Sequence, residues 1–215
     1  MATGAGASQG FEAIVLAAGS GSRFGGGKLL APWKAGLLIE AALGAAFAAP
    51  VERVIVVTGA DAERVARAAR DFAERIRRAG DLKLVRAADH AEGMGASLRT
   101  AAAEVSSQAA GVFVFLGDMP RIPHAVLGPL AQAVRDGAAA AAPVFAGKRG
   151  HPALIGRALL PGLLTLQGDA GARGVLGALG PRLALVEAPD DGVLFDVDAP
   201  DDLRDDLTRA EGRIP

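Results

Sequence analysis

The chain has no cysteine among its 215 residues, which excludes disulfides, thiolate metal sites and cysteine nucleophiles. It has no tyrosine, one tryptophan, and an aromatic share of only 4%. That leaves no stacking platform for single-stranded nucleic acid. An excess of one charge is also missing. The formal net charge is −1, whereas nucleic-acid binders carry a basic surplus. Glycine, proline or a charge interrupts every alanine-rich segment before it reaches the length of a membrane span. Residues 1–10 lack the basic start and apolar centre of a signal peptide, and read as a disordered tail. These absences lead to an expectation of a cytoplasmic protein with no membrane and no nucleic-acid partner.

What is present is an apolar share of 51%, enough for a substantial core. One domain is expected over residues 11–208, with residues 209–215 as a C-terminal tail. Strands are expected at Ile14–Leu16, Arg53–Thr58, Leu82–Arg86, Val112–Leu116, Ala138–Phe145, Ala153–Ile155, Leu183–Glu187 and Val193–Val197. Helical spacing is found at Leu37–Ala49, at Asp61–Ala79 with Gly80 as its stop, and at Ala96–Val105. Further helices are expected at Pro123–Arg135, Arg157–Leu166 and Ala170–Leu179. Alternation of this kind predicts an α/β fold: a mostly parallel twisted sheet with helices on both faces. Ligands of such sheets sit outside the carboxyl ends of the strands.

The stretch Ile14–Lys28, IVLAAGSGSRFGGGK, is where a ligand is expected. An apolar strand runs into five glycines, Gly19, Gly21, Gly25, Gly26 and Gly27. A turn without Cβ atoms lets a ligand approach backbone N–H groups, and successive N–H groups form an anion-binding concavity. Arg23 adds a planar fork of donors and Lys28 a compact charge. The loop suits a nucleoside triphosphate. It is not a P-loop, because Ser22 stands where the first glycine belongs and Leu29 where Ser or Thr would hold magnesium. It is not the dinucleotide fingerprint either, because Phe24 takes the third glycine's place.

A bound triphosphate calls for a divalent cation, held by one or two carboxylates plus phosphate oxygens. Asp118, directly after the strand VFVFLG, is the first candidate for Mg2+. Asp198 is the second, with Asp196 two residues earlier on what is expected to be one face of a strand. The competing readings are a turn-capping Asp118 and a helix-starting Asp198. Gly150 and His151, in the basic loop Lys148–Pro152, are candidates for contacting a second, phosphorylated substrate. His90, without a partner at ligand spacing, reads as a surface residue. The arginines of the Asp61–Ala79 helix are expected to pair along its surface with Glu63, Asp71 and Glu74.

The stretches LAAGSGSRFGGGK (16–28), VIVVTG (54–59), GMGASLRTA (93–101), FLGDMP (115–120), GHPALI (150–155), GDAGARGVL (168–176) and FDVDAPDDL (195–203) resemble the MobA-like nucleotidyltransferase superfamily. The resemblance is greatest to its molybdenum cofactor cytidylyltransferase branch. It spans nearly the whole chain and implies a Rossmann-like nucleotidyltransferase fold. By that resemblance Leu16, Ala17, Ala18 and Gly19 would line CTP, and Gly21, Ser22 and Arg23 would hold its triphosphate. Lys28 would offset charge near the α-phosphate. Thr58 and Gly59 would lie near the base, with Ser97 at the other edge. Arg23, Lys28 and Asp118 would be catalytic, with Asp118 and Asp198 on Mg2+. The terminal phosphate of a molybdopterin-type acceptor, already carrying molybdenum, would attack the α-phosphorus. A molybdenum hydroxylase or its chaperone would be a further partner. Three alternatives stay open: a guanylyltransferase for the same cofactor, a transferase for another phosphorylated acceptor, and a non-catalytic chaperone that binds nucleotide or cofactor.

Overall fold

A computed structural model describes residues 10–21, 24–169 and 171–203. Residues 1–9 of the expected tail 1–10, the expected tail 209–215, and the loop residues Ser22 and Arg23 lie outside the described residues.

The central element is β1 (Phe11–Ala17), whose side chains are buried on both faces of the sheet except for half-buried Leu16. It is flanked by β4 (Val51–Thr58) on one side and β6 (Gly111–Leu116) on the other, both parallel to it. Burial on two sides explains why these strands are continuous apolar runs and not alternating ones. Beyond β4 lies β5 (Leu82–Arg86), also parallel. Beyond β6 lie β9 (Ala153–Gly156), β7 (Ala140–Phe145) and β10 (Leu183–Glu187), with the order β10-β7-β9-β6-β1-β4-β5. The short β8 (Lys148–Arg149) returns antiparallel on β7. In the seven-strand path only β9 runs against its neighbours. A two-residue pair, β2 (Pro32–Trp33) and β3 (Gly36–Leu37), stands apart.

Helices cover both faces, as the strand and helix alternation predicts. On one face α1 (Leu38–Ala48), α2 (Ala62–Arg75) and α4 (Leu127–Arg135) bury Leu43, Ala69 and Leu130 against Ala13, Val15, Phe113 and Phe115. On the other, α3 (Met94–Ala102), α5 (Leu160–Leu163) and α6 (Gly171–Gly177) bury Leu98, Leu163 and Leu176 against Ile14, Ile55, Val112 and Val114. The two-residue alternation within each strand divides the two cores. No helix among the described residues is long and apolar enough to cross a membrane.

Three expected elements differ. The helix expected at Arg157–Leu166 is a 3-10 turn over Arg157–Leu159 followed by the four residues of α5. Helix α2 ends at Arg75 and does not run on to Gly80. Arg77 takes φ 59, and the Arg78 N–H reaches back to the Ala73 carbonyl at 2.8 Å. A left-handed arginine thus closes the helix where the sequence offers a later glycine. The arginines pair with other partners than expected: Arg64 with Asp61, Arg75 with Glu40, Arg78 with Asp81.

The expected strand Val193–Val197 is not formed. Asp190 accepts the Gly192 N–H at 2.8 Å and starts a helical turn over Asp191–Leu194. Residues 195–198 follow outside the sheet. They are tied down one bond at a time, with His151 N–H on the Val193 carbonyl at 2.9 Å and Val197 N–H on the Asp118 carbonyl at 3.0 Å. The side-chain bond at Asp190 offers this backbone an alternative to a ladder. Asp196 and Asp198 therefore owe their places to these anchors and not to a strand face.

Candidate active site

The strand end of β1 leads into the glycine loop, which folds on itself. Gly21 O accepts from Phe24 N–H at 2.9 Å and from Gly26 N–H at 3.2 Å. Gly25, Gly26 and Gly27 all have positive φ, at 82°, 93° and 66°, a conformation that side chains rarely adopt. Phe24, the residue that breaks the dinucleotide fingerprint, packs against the core beneath the loop. Gly27 N–H donates to Asp61 at 3.2 Å and fastens the loop to the start of α2.

Lys28 then points across the carboxyl ends of β1 and β6. Its ammonium lies 2.6 Å from an Asp118 carboxylate oxygen and 3.9 Å from one of Asp198. Lys28 is well covered, with 14% of its side chain exposed, against 25% for Asp118 and 60% for Asp198. Asp118 spends its carboxylate on this lysine, and its backbone carbonyl takes the Val197 N–H. It is not a turn cap. At the helical start that follows, Asp202 accepts from the Asp198 and Ala199 N–H groups at 2.7 Å each and ties the segment back on itself. Asp196 completes the group. Its carboxyl is held above the usual carboxylate range, first by burial and then by the charges of Asp198 and Asp118.

A cleft of about 610 Å3 opens over these residues. Of the residues singled out in the sequence, Leu16, Ala18, Gly19, Ser97, Asp118 and Asp198 line it. So do Asp196, which the sequence reading names beside Asp198, and His90, which it leaves on the surface, along with Ser20, Met94 and Asp169, to which it gives no role. Ser20 lies within the glycine loop itself, whereas Met94, Asp169 and His90 come from remote chain segments that no spacing rule links to it.

Three of the expected residues support the cleft from behind. Ala17 is buried. Thr58 is also buried, and its hydroxyl donates to the Val85 carbonyl at 3.2 Å, tying β4 to β5. Gly59 serves close approach: a Cβ there would stand 2.4 Å from the Ala18 carbonyl oxygen and 2.7 Å from the His90 ring. Gly59→Ala is therefore expected to lower stability by about 1–3 kcal/mol, measured by urea unfolding, and to raise the nucleotide KM by displacing Ala18 or His90. Asp89 is engaged away from the cleft by Arg99 at 2.5 Å, and that hydrogen bond holds its carboxyl below the usual range.

A second cleft, of about 390 Å3, adjoins the first, and Leu116 and Asp196 line both. Gly150 and His151 form part of its wall. A Cβ on Gly150 would stand 2.2 Å from the Val193 carbonyl oxygen, so the glycine lets β8 and the aspartate segment pack together. Burial holds the His151 ring below the ordinary histidine range, in the neutral form.

Arg121 clamps the aspartate segment. Its guanidinium pairs with Asp191 at 2.6 Å and lies over the Phe195 ring at 4.7 Å. Arg121→Ala is expected to cost about 1–3 kcal/mol in chemical denaturation. It is also expected to lower kcat by loosening Asp196 and Asp198, whereas Arg121→Lys regains only part of both because an ammonium cannot bridge carboxylate and ring in the same way.

Among the described residues no three side chains of ligating type are spaced to hold a metal by themselves. The donor set nevertheless fits a cation of the kind phosphates share. The Lys28 ammonium already occupies a cation position between Asp118 and Asp198, and two carboxylates with phosphate oxygens and water suffice for magnesium.

Residues 13–183 match the MobA-like NTP transferase domain. A curated relative named nicotine blue oxidoreductase, from Paenarthrobacter nicotinovorans, is 32% identical over 195 residues, covering 86% of this chain and 90% of that one. Molybdenum cofactor cytidylyltransferase of Escherichia coli is 26% identical over 191 residues, covering 89% and 92%. Among solved structures, a nucleotidyl transferase from Methanothermobacter superposes with a TM-score of 0.73 at 27% identity, over 94% of this chain and 99% of that one. A Mycobacterium tuberculosis protein in complex with manganese superposes with a TM-score of 0.71 at 28% identity, over 93% and 99%.

Proposed function

Because this chain belongs to the MobA-like NTP transferase family, we propose that it transfers CMP from CTP to the terminal phosphate of molybdenum-loaded molybdopterin and releases pyrophosphate. The observation that carries the reading is the Lys28 ammonium set between Asp118 and Asp198, two carboxylates lining a cleft that shares Leu116 and Asp196 with a second one. The cytidylyltransferase relative and the motif LAAG followed by RFGGGK support cytidine over guanosine.

The chemistry asks little of a base. An oxygen of the acceptor's phosphate forms a bond to the α-phosphorus, and the bond from that phosphorus to the bridging oxygen of the β-phosphate breaks. Pyrophosphate leaves with the electron pair. The chain's work is positioning and charge stabilisation. Gly19 and Gly21, with the proposed help of Ser22 and Arg23, receive the triphosphate on backbone N–H groups and a guanidinium. Lys28 moves its charge from the carboxylates to the α-phosphate as negative charge builds there. Leu16, Ala18, Thr58, Gly59 and Ser97 shape the place of the nucleoside, and His90 closes it. Asp118 and Asp198 would hold Mg2+, which supplies charge neutralisation across the phosphates. Gly150 and His151 face the acceptor. A molybdenum hydroxylase or its chaperone is the proposed recipient of the product.

The test is pyrophosphate release with magnesium and loaded molybdopterin, run separately with CTP, GTP, ATP and UTP. Release with CTP alone supports the proposal. A preference for GTP keeps the mechanism and moves the protein to the guanylyl activity. The 32% identity to an oxidoreductase gives one rival of another kind. Consumption of a redox cofactor without pyrophosphate would favour it, and nucleotide binding without any turnover would favour a chaperone.

A further inference from the structure

The second cleft carries chemistry that the transfer reading does not use. Arg149, from β8, and Arg173, from α6, both line it together with His151. They come from opposite ends of the cleft's chain segments, one from the hairpin on β7 and one from the helix over the other face of the sheet. Among the described residues neither guanidinium forms an ion pair or hydrogen bond, whereas Arg53, Arg75, Arg99 and Arg121 all do. His151, half-buried in the same cleft, has a buried Nδ1 with no hydrogen-bond partner. Two guanidiniums on separate elements that line one cleft without a protein partner are placed to meet an anionic ligand.

We infer that Arg149 and Arg173 form a phosphomonoester clamp for the acceptor. A guanidinium offers two parallel donors to phosphate oxygens, so two of them on separate elements fix both the position and the orientation of a phosphate. The clamp holds the acceptor through one or two oxygens and leaves another directed toward the seam at Leu116 and Asp196, where the nucleotide cleft begins. It also sets the class of acceptor: a phosphate monoester on a body that fits a cleft of about 390 Å3. A neutral alcohol or a sugar without phosphate gains nothing from it. The inference rests on the transfer reading only for the identity of the acceptor.

The experiment measures binding and turnover separately on wild type, Arg149→Ala, Arg173→Ala, the double variant and the two lysine variants. The probes are molybdopterin and its dephosphorylated form, titrated calorimetrically, together with steady-state kinetics in CTP and acceptor. Each alanine substitution is expected to weaken molybdopterin binding and raise the acceptor KM by roughly tenfold to a hundredfold. The CTP KM should not move, the dephosphorylated probe should bind all variants equally, and lysine should restore only part of the loss. Unchanged molybdopterin binding in the double variant overturns the clamp. A rise in the CTP KM as large as that for acceptor also overturns it, because the arginines would then serve the triphosphate. Arginine-dependent binding with no pyrophosphate from wild type sustains the clamp and sinks the transfer reading instead.

Discussion

Asp118→Ala is expected to lower the rate of pyrophosphate release by about three orders of magnitude or more, with the fold intact. The size of the effect follows from position. Asp118 sits at the tip of β6, the strand beside β1, and is the carboxylate nearest Lys28, at 2.6 Å. Removing it leaves a cation bound to the phosphates with Asp198 as its remaining partner, and that carboxylate is 60% exposed and lies on a segment outside the sheet. The small effect on stability follows from exposure and redundancy. The Asp118 backbone carbonyl keeps its bond from Val197 N–H, and the ammonium left behind can turn to Asp198. Circular dichroism and urea unfolding check the fold, and a coupled pyrophosphate assay checks the rate. Turnover near wild type would remove Asp118 from the cation site.

Lys28→Met is expected to reduce kcat by about a hundredfold to a thousandfold, with an effect of opposite sign on free cations. In the structure the ammonium offsets a group of three carboxylates, Asp118, Asp196 and Asp198, whose mutual repulsion contributes to the raised protonation range of Asp196. Without the lysine, a divalent ion meets that group with no competing charge. The variant should therefore bind Mn2+ more tightly than wild type in the absence of nucleotide, a change readable by electron paramagnetic resonance, while turning over slowly at saturating metal. A lysine that only balanced the carboxylates in the fold would give the tighter binding without the loss of rate.

Much of the frame is legible in the sequence because its cause is local. Strand β5 falls at Leu82–Arg86 as expected, and β1, β4 and β6 are apolar runs whose burial on two faces leaves little choice of structure. The glycine loop and Asp118 are legible for a related reason: a strand end followed by glycines or by Gly-Asp-Met-Pro has few other uses. What the sequence hides depends on distant contacts. Val193–Val197 is mostly apolar and reads as a strand, but the Asp190 side chain and the close packing of Gly192 on the Arg121 carbonyl turn it into a loop. The end of α2 depends on one arginine in a left-handed conformation, a conformation that residue type does not announce. His90, Asp169 and Arg173 reach the clefts only because α3 and α6 pack together on one side of the sheet.

The most direct test of the account is to follow the label from CTP carrying radioactive phosphorus at the α position, in the presence of magnesium and loaded molybdopterin. The account predicts that the α label appears in a larger pterin product, while label placed at the γ position leaves as pyrophosphate. Retention of the α label in unreacted CTP or in free CMP, with the acceptor shown to be loaded, would contradict it.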